Sequence, residues 1–191
     1  MKSVKGTKTE QNLLKSFAGE SQARNRYTYF ASVAKKEGYE QISAIFTETA
    51  DNEKEHAKRF FKFLEGGDLE ITATYPAGKI ATTVENLTAA AAGEHEEHTI
   101  LYPTFAKIAD EEGFEEIASV YRFISTVEVE HERRYKALIE NVKNAKVFKK
   151  DKSIKWRCRN CGYVYNSNEA VELCPACAHP MAYQEVAADN Y

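Results

Sequence analysis

The chain has 191 residues, with 26 basic and 29 acidic side chains and a formal net charge of −3. That balance has no basic excess for neutralising phosphates and argues against a nucleic-acid partner. No apolar run approaches the ~20 residues of a membrane span, and the opening Met1-Lys2-Ser3-Val4-Lys5-Gly6 runs into polar sequence without an apolar leader, which points to the cytoplasm.

Four long helices are predicted in the first 146 residues. The first runs from about Thr7 to Lys36 and ends at Gly38, and the second from Tyr39 to Gly66-Gly67. A polar stretch from Asp68 to Thr82, with Pro76 and Gly78, precedes the third helix, Thr83 to Glu112. Gly113 turns the chain into the fourth, which ends near Asn144. Two short turns make two antiparallel hairpins, and the long link between them crosses the bundle. That is the all-α ferritin-like four-helix topology. From about Asp151 onward, short apolar runs alternate with turn residues, so a small β domain is expected at 152–191 behind a helical domain at 1–148.

The two hairpins repeat each other at an offset of 75: Gly38-Tyr39-Glu40 matches Gly113-Phe114-Glu115, Glu53 matches Glu128, His56 matches His131 and Arg59 matches Arg134. Upstream of Phe105 the offset slips to 74, where Ala18-Gly19-Glu20 matches Ala92-Gly93-Glu94. One residue has therefore been inserted between Glu94 and Tyr102. A helix absorbs such an insertion as a π-bulge, a feature frequent at functional sites, although Pro103 alone would also explain a kink.

The second helix carries a stripe of Ile42, Phe46, Thr49, Glu53, His56, Phe60 and Phe63, and the fourth repeats it as Ile117, Tyr121, Ile124, Glu128, His131, Tyr135 and Leu138. Such a stripe faces a bundle core, yet its middle positions are a Glu and a His on one helix face. The first and third helices bring Glu20 and Glu94, with Glu97 three residues further on. Buried carboxylates are untenable in this number without cations. Hard oxygen donors with two imidazoles suit iron or manganese, and a Glu from two helices with Glu-x-x-His from two more marks a di-iron carboxylate bundle. Buried salt bridges to Arg24, Arg26 or Arg59 are the competing explanation. Glu97 reads as an additional carboxylate that binds or releases the metals with redox state, or else as part of the surface run Glu94-His95-Glu96-Glu97. His95 and His98 read as surface or supporting groups. Tyr27 and Tyr102, again 75 apart, read as donors to the carboxylates or as ordinary core aromatics.

Cys158-x-x-Cys161 and Cys174-x-x-Cys177 are two knuckles that present four thiolates to one metal, zinc or a single iron. In the cytoplasm they are not expected to form disulfides.

Glu20, Glu53-x-x-His56, Glu94-x-x-Glu97 and Glu128-x-x-His131, followed by a short four-cysteine domain, together resemble the rubrerythrin family over essentially the whole chain. Cys158-x-x-Cys161-Gly162-Tyr163 and Cys174-Pro175 resemble rubredoxin knuckles, which implies iron there with zinc as a possible substitute. The segment between the knuckles is short, and Ala178 stands where a Gly usually follows the last Cys. The resemblance implies a peroxidase that reduces hydrogen peroxide to water in oxidative-stress protection. Its electrons would come from NADH through a reductase or rubredoxin, then pass through the four-cysteine iron to the di-iron centre. It also implies a homodimer that places one subunit's four-cysteine iron near the partner's di-iron pair. A ferroxidase or iron-storage protein and a pure electron carrier are the other functions weighed. The first has no need of the cysteines, and the second no need of the carboxylates.

Overall fold

The computed structural model describes residues 2–189. Helix α1 (Lys8–Lys36) begins where the Thr7 hydroxyl accepts the Glu10 backbone N–H. Its last turn closes with Gly38 at φ 83°, whose N–H reaches the Lys35 carbonyl while that of Tyr39 reaches Ala34. The same arrangement recurs at Gly113, φ 78°, where Gly113 and Phe114 donate to the carbonyls of Asp110 and Ala109. Both are Schellman closures, which need a left-handed residue and so favour glycine. The repeat seen in sequence is thus a repeat of turn geometry.

Helix α2 (Glu40–Phe61) ends five residues before the expected Gly66. Phe63 and Leu64 donate to the carbonyls of Phe60 and Phe61, tightening the last turn, and Gly66 and Gly67 follow at φ 81° and 92°. Glu65 then accepts from the Val4 N–H at 2.8 Å and the Ser3 hydroxyl at 2.7 Å, which draws this turn to the N-terminal segment. The crossover of residues 68–82 has no regular structure and is tied down by Tyr75, whose hydroxyl donates to the Lys15 carbonyl at 2.8 Å. A Thr82–Glu85 capping box starts α3 (Thr83–Glu96).

The inserted residue appears as anticipated. A π turn, Glu97–Leu101, separates α3 from α4 (Tyr102–Glu111), and the fourth long helix is α5 (Glu115–Lys143). Two apolar clusters fill the bundle. One gathers Tyr27, Phe46, Leu87 and Tyr135, and the other Leu13, Phe60, Tyr102, Ile117 and Tyr121. Glu20, Glu53 and Glu128 each fall between the two clusters along their own helix, and Glu94 does so along α3 and α4.

Strand β1 (Lys149–Cys158) opens inside the gap left between the two expected domains and is the centre of an antiparallel sheet ordered β2-β1-β3, with β2 at Val164–Glu169 and β3 at Gln184–Val186. Trp156 is fully buried, and its indole N–H donates to the Ser167 carbonyl at 2.9 Å. This small domain sits against the α1–α2 turn: the Phe148 ring stacks on Tyr39 with centroids 6.1 Å apart, and Ala182 lies beside Gly38. Among the described residues no helix is long and apolar enough to cross a membrane.

Candidate metal centres

Two groups of donor atoms meet at mid-bundle: Glu20, Glu53, His56 and Glu128 in one, and Glu53, Glu94, Glu128 and His131 in the other. His56 Nδ1 lies 3.0 Å from Glu53 Oε2, 3.0 Å from Glu128 Oε1 and 3.7 Å from Glu20 Oε1. His131 Nδ1 lies 3.2 Å from Glu53 Oε1, 2.8 Å from Glu128 Oε2 and 3.8 Å from Glu94 Oε1. Glu53 and Glu128 therefore span both groups, one oxygen toward each histidine, whereas Glu20 and Glu94 serve one group apiece. The arrangement has the twofold character of the sequence repeat.

These donors satisfy one another only in part, as His56 Nδ1 does with Glu53 Oε2 at 3.0 Å. Glu20 Oε2, Glu53 Oε1, Glu94 Oε2, both Glu128 oxygens and His131 Nδ1 are buried and make no hydrogen bond. Buried polar atoms are ordinarily paired, so a convergent set of unpaired lone pairs fits two cations held between the groups. The ionisation pattern agrees. Burial, then the charges of Glu53, Glu97 and Glu128, push the Glu20 carboxyl well above its usual range, and burial with Glu53 and Glu128 does the same to Glu94. Burial lowers His56, but Glu128 and Glu53 outweigh it and raise the ring to about 10; His131 rises to about 9 for the same reasons. Burial raises Glu53, but His131 and His56 hold it at about 2. Protons thus take up the role that cations fill in such a site. The arginines weighed as salt-bridge partners are engaged elsewhere or unpaired: Arg59 with Glu116, Arg26 Nε with Gln22, and Arg24 Nε with no partner.

Glu97 belongs to neither group. It opens the π turn, is half-buried, and lies within hydrogen-bonding reach of Glu94. Burial, together with Glu128 and Glu53, raises its carboxyl well above the usual range. It also lines a cavity of about 320 Å³, with Tyr102, Arg26 and crossover residues Thr72 to Pro76.

Tyr27 donates to Glu94 Oε1 at 2.7 Å and Tyr102 to Glu20 Oε1 at 2.5 Å. Both tyrosines are thus carboxylate donors as well as core aromatics. Asn52, which the sequence did not single out, places Oδ1 3.3 Å from His131 Nε2. Accepting that N–H fixes the tautomer that leaves Nδ1 free for a metal. His95 and His98 face away from the centre and contact Glu132.

In the small domain the four cysteine sulfurs lie within 4.8 Å of one another, with Cys158–Cys177 and Cys161–Cys174 each at 3.7 Å. Equivalent turns build the two knuckles: Gly162 donates to the Cys158 carbonyl and Ala178 to the Cys174 carbonyl, each at 2.9 Å. No disulfide forms. Four convergent thiolates fit one tetrahedral metal ion.

A helical bundle of two hairpins with a dinuclear carboxylate–histidine centre is a ferritin-like di-iron protein, here carrying a rubredoxin-like four-cysteine iron domain. A family model described as Rubrerythrin matches residues 11–139, and one described as Rubrerythrin, rubredoxin-like domain matches residues 156–184. The chain is 66% identical over 190 residues to Rubrerythrin of Porphyromonas gingivalis, covering 100% of this chain and 95% of that protein. To Rubrerythrin of Nitratidesulfovibrio vulgaris it is 60% identical, covering 100% of both. A solved structure described as the fully reduced state of nigerythrin (all ferrous) matches with a TM-score of 0.64 at 30% identity, covering 97% of this chain and 92% of that one. The chain belongs to the rubrerythrin family.

Proposed function

We propose that the chain is a peroxidase that reduces hydrogen peroxide to two waters, protecting the cytoplasm against oxidative stress. The observation that carries this is the joining, in one chain, of a dinuclear donor set to a four-thiolate site. Two ferrous ions bound at mid-bundle supply one electron each and Lewis-acid stabilisation of charge on oxygen. Glu53 and Glu128 belong to both donor groups and would help hold both ions, with Glu20 and His56 holding one and Glu94 and His131 the other. Tyr27 and Tyr102 hold the terminal carboxylates in place.

Each peroxide consumes two electrons and two protons. Glu97, half-buried beside the cavity, has its carboxyl raised by burial and by Glu128 and Glu53, and is placed to pass protons from solvent toward the dinuclear site. Cys158, Cys161, Cys174 and Cys177 would hold a single iron, a one-electron site suited to electrons that originate from NADH and arrive through a reductase or rubredoxin. The small domain sits at the α1–α2 turn, and Glu53 lies fourteen residues up α2 from Tyr39. At 1.5 Å per residue the axial separation is about 20 Å. That is long for electron transfer within one chain and favours a homodimer in which the partner's four-cysteine iron is the nearer donor.

The test is anaerobic stopped-flow mixing of the fully reduced, iron-loaded protein with peroxide or dioxygen. Peroxide should oxidise it far faster. Faster oxidation by dioxygen would favour a ferroxidase, and no reaction with either an electron carrier.

A further inference from the structure

Outside the dinuclear centre, on the seam between α3 and α5, three more donors meet. His98 Nε2 lies 2.7 Å from Glu132 Oε2 and His95 Nδ1 3.1 Å from Glu132 Oε1, and the two rings stand edge-on with centroids 5.2 Å apart. All three donor atoms lie within 4.8 Å of one another. Glu132 is buried, His98 is half-buried, and His95 is more than half exposed, so the cluster opens to solvent on one side.

We propose that His95, His98 and Glu132 form a third metal site, which takes one divalent transition-metal ion, ferrous iron or zinc, directly from solvent. Two histidines and one carboxylate with remaining positions open to water are a sufficient donor set for either ion. Donors bound at about 2.1 Å to one tetrahedral ion stand roughly 3.4 Å apart, so the two His–Glu132 separations need to open only slightly.

The repeat argues that the fold itself does not require these residues. At the equivalent place on the α1–α2 seam the chain carries Ser21, Arg24 and Ala57, which line a shallow groove together. That seam packs without a donor set, whereas this one has acquired all three donors beside the inserted π turn. Lys136 competes for the site: its ammonium lies 2.5 Å from Glu132 Oε1, but its side chain is largely exposed and free to swing away.

The test uses protein whose dinuclear and four-cysteine sites are already filled with iron, titrated with Co2+ and followed by its visible absorption. The wild type should bind one more Co2+ per chain than His95→Ala/His98→Ala. The exposed single variant His95→Ala should weaken that binding by more than about tenfold, the lower end of what losing a mere supporting hydrogen bond costs. Lys136→Gln should tighten it. Equal uptake by the wild type and the double variant, or no additional uptake by the wild type, would overturn the site.

Discussion

Tyr27 and Tyr102 occupy equivalent positions in the two hairpins, and each donates across to a carboxylate of the other: Tyr27 to Glu94 and Tyr102 to Glu20. The exchange ties the halves together at the metal centre, because each hairpin fixes a ligand carboxylate belonging to its partner hairpin. Tyr27→Phe and Tyr102→Phe remove one oriented hydrogen bond apiece with little change in packing. Iron affinity should fall about 10–100-fold in each variant. The loss should fall on the His131 side for Tyr27→Phe and on the His56 side for Tyr102→Phe, as read by competition with a ferrous chelator and by Mössbauer spectra of the half-loaded protein.

Asn52→Ala should act on the same centre from another direction. Without the Asn52 acceptor, the His131 ring no longer has its Nε2 proton fixed, and Nδ1 is lost as a committed donor part of the time. Loss of the second iron at a chelator concentration that leaves the wild type fully loaded is the expected outcome. Unchanged retention of both irons would mean that the contact is incidental.

Asn52 also marks the limit of what the sequence makes legible. The stripe, the duplicated Glu-x-x-His and the one-residue slip of the repeat locate the bundle, its carboxylates and the π turn, since each is a periodic signal in the chain. Asn52 corresponds to Val127 in the other hairpin and Glu132 to Ala57, so neither is reinforced by repetition. Their roles depend on which helix lies opposite. The end of α2 at Phe61 was equally hidden, because it depends on Glu65 reaching a segment some sixty residues away.

Metal removal should make stability depend on pH in a direction opposite to ordinary acid unfolding. His56 and His131, raised from 6.5 to about 10 and about 9, stabilise the metal-free fold fully below their unfolded value, and that contribution is lost as pH climbs through the folded values. Glu20 and Glu94, raised well above 4.5, work in the same sense, since the fold favours their protonated forms. Glu53, lowered to about 2, contributes in full above its unfolded value and loses that contribution only in acid, outside this window. The melting temperature of the metal-free chain should fall steadily from pH 6.5 to 10, while that of the iron-loaded protein stays nearly flat. A metal-free protein that grows more stable over this range would contradict the arrangement.

Two alanines adopt left-handed backbone where glycine is the usual residue: Ala145, φ 52°, closing α5, and Ala178, φ 54°, after the last cysteine. The conformation costs an L-residue about 1–2 kcal/mol, against about 0.5–1 kcal/mol for the greater freedom glycine loses on folding. Ala145→Gly and Ala178→Gly should therefore each stabilise the iron-loaded protein by up to about 1.5 kcal/mol. Denaturant unfolding measures the change, with the four-cysteine visible absorption reporting Ala178→Gly separately. Destabilisation by either would show that the Cβ makes a compensating contact.

The proton-carrying role proposed for Glu97 separates holding metal from turning over substrate. Because it lies outside both four-residue donor groups, Glu97→Gln should leave two irons per dinuclear site and preserve the melting temperature of the loaded protein. The amide nevertheless has no acidic proton to give, and Glu97 lies between the cavity and the carboxylates. Losing a positioned general acid costs typically 10²–10⁴-fold. Peroxide turnover should therefore drop by at least about a hundredfold, with a normal rate of electron transfer into the four-cysteine site. Exogenous weak acids small enough for the cavity, such as formic acid, should restore part of the rate in proportion to their concentration. If Glu97→Gln instead loses iron while the residual irons turn over at the ordinary rate, Glu97 is a ligand and not a proton carrier.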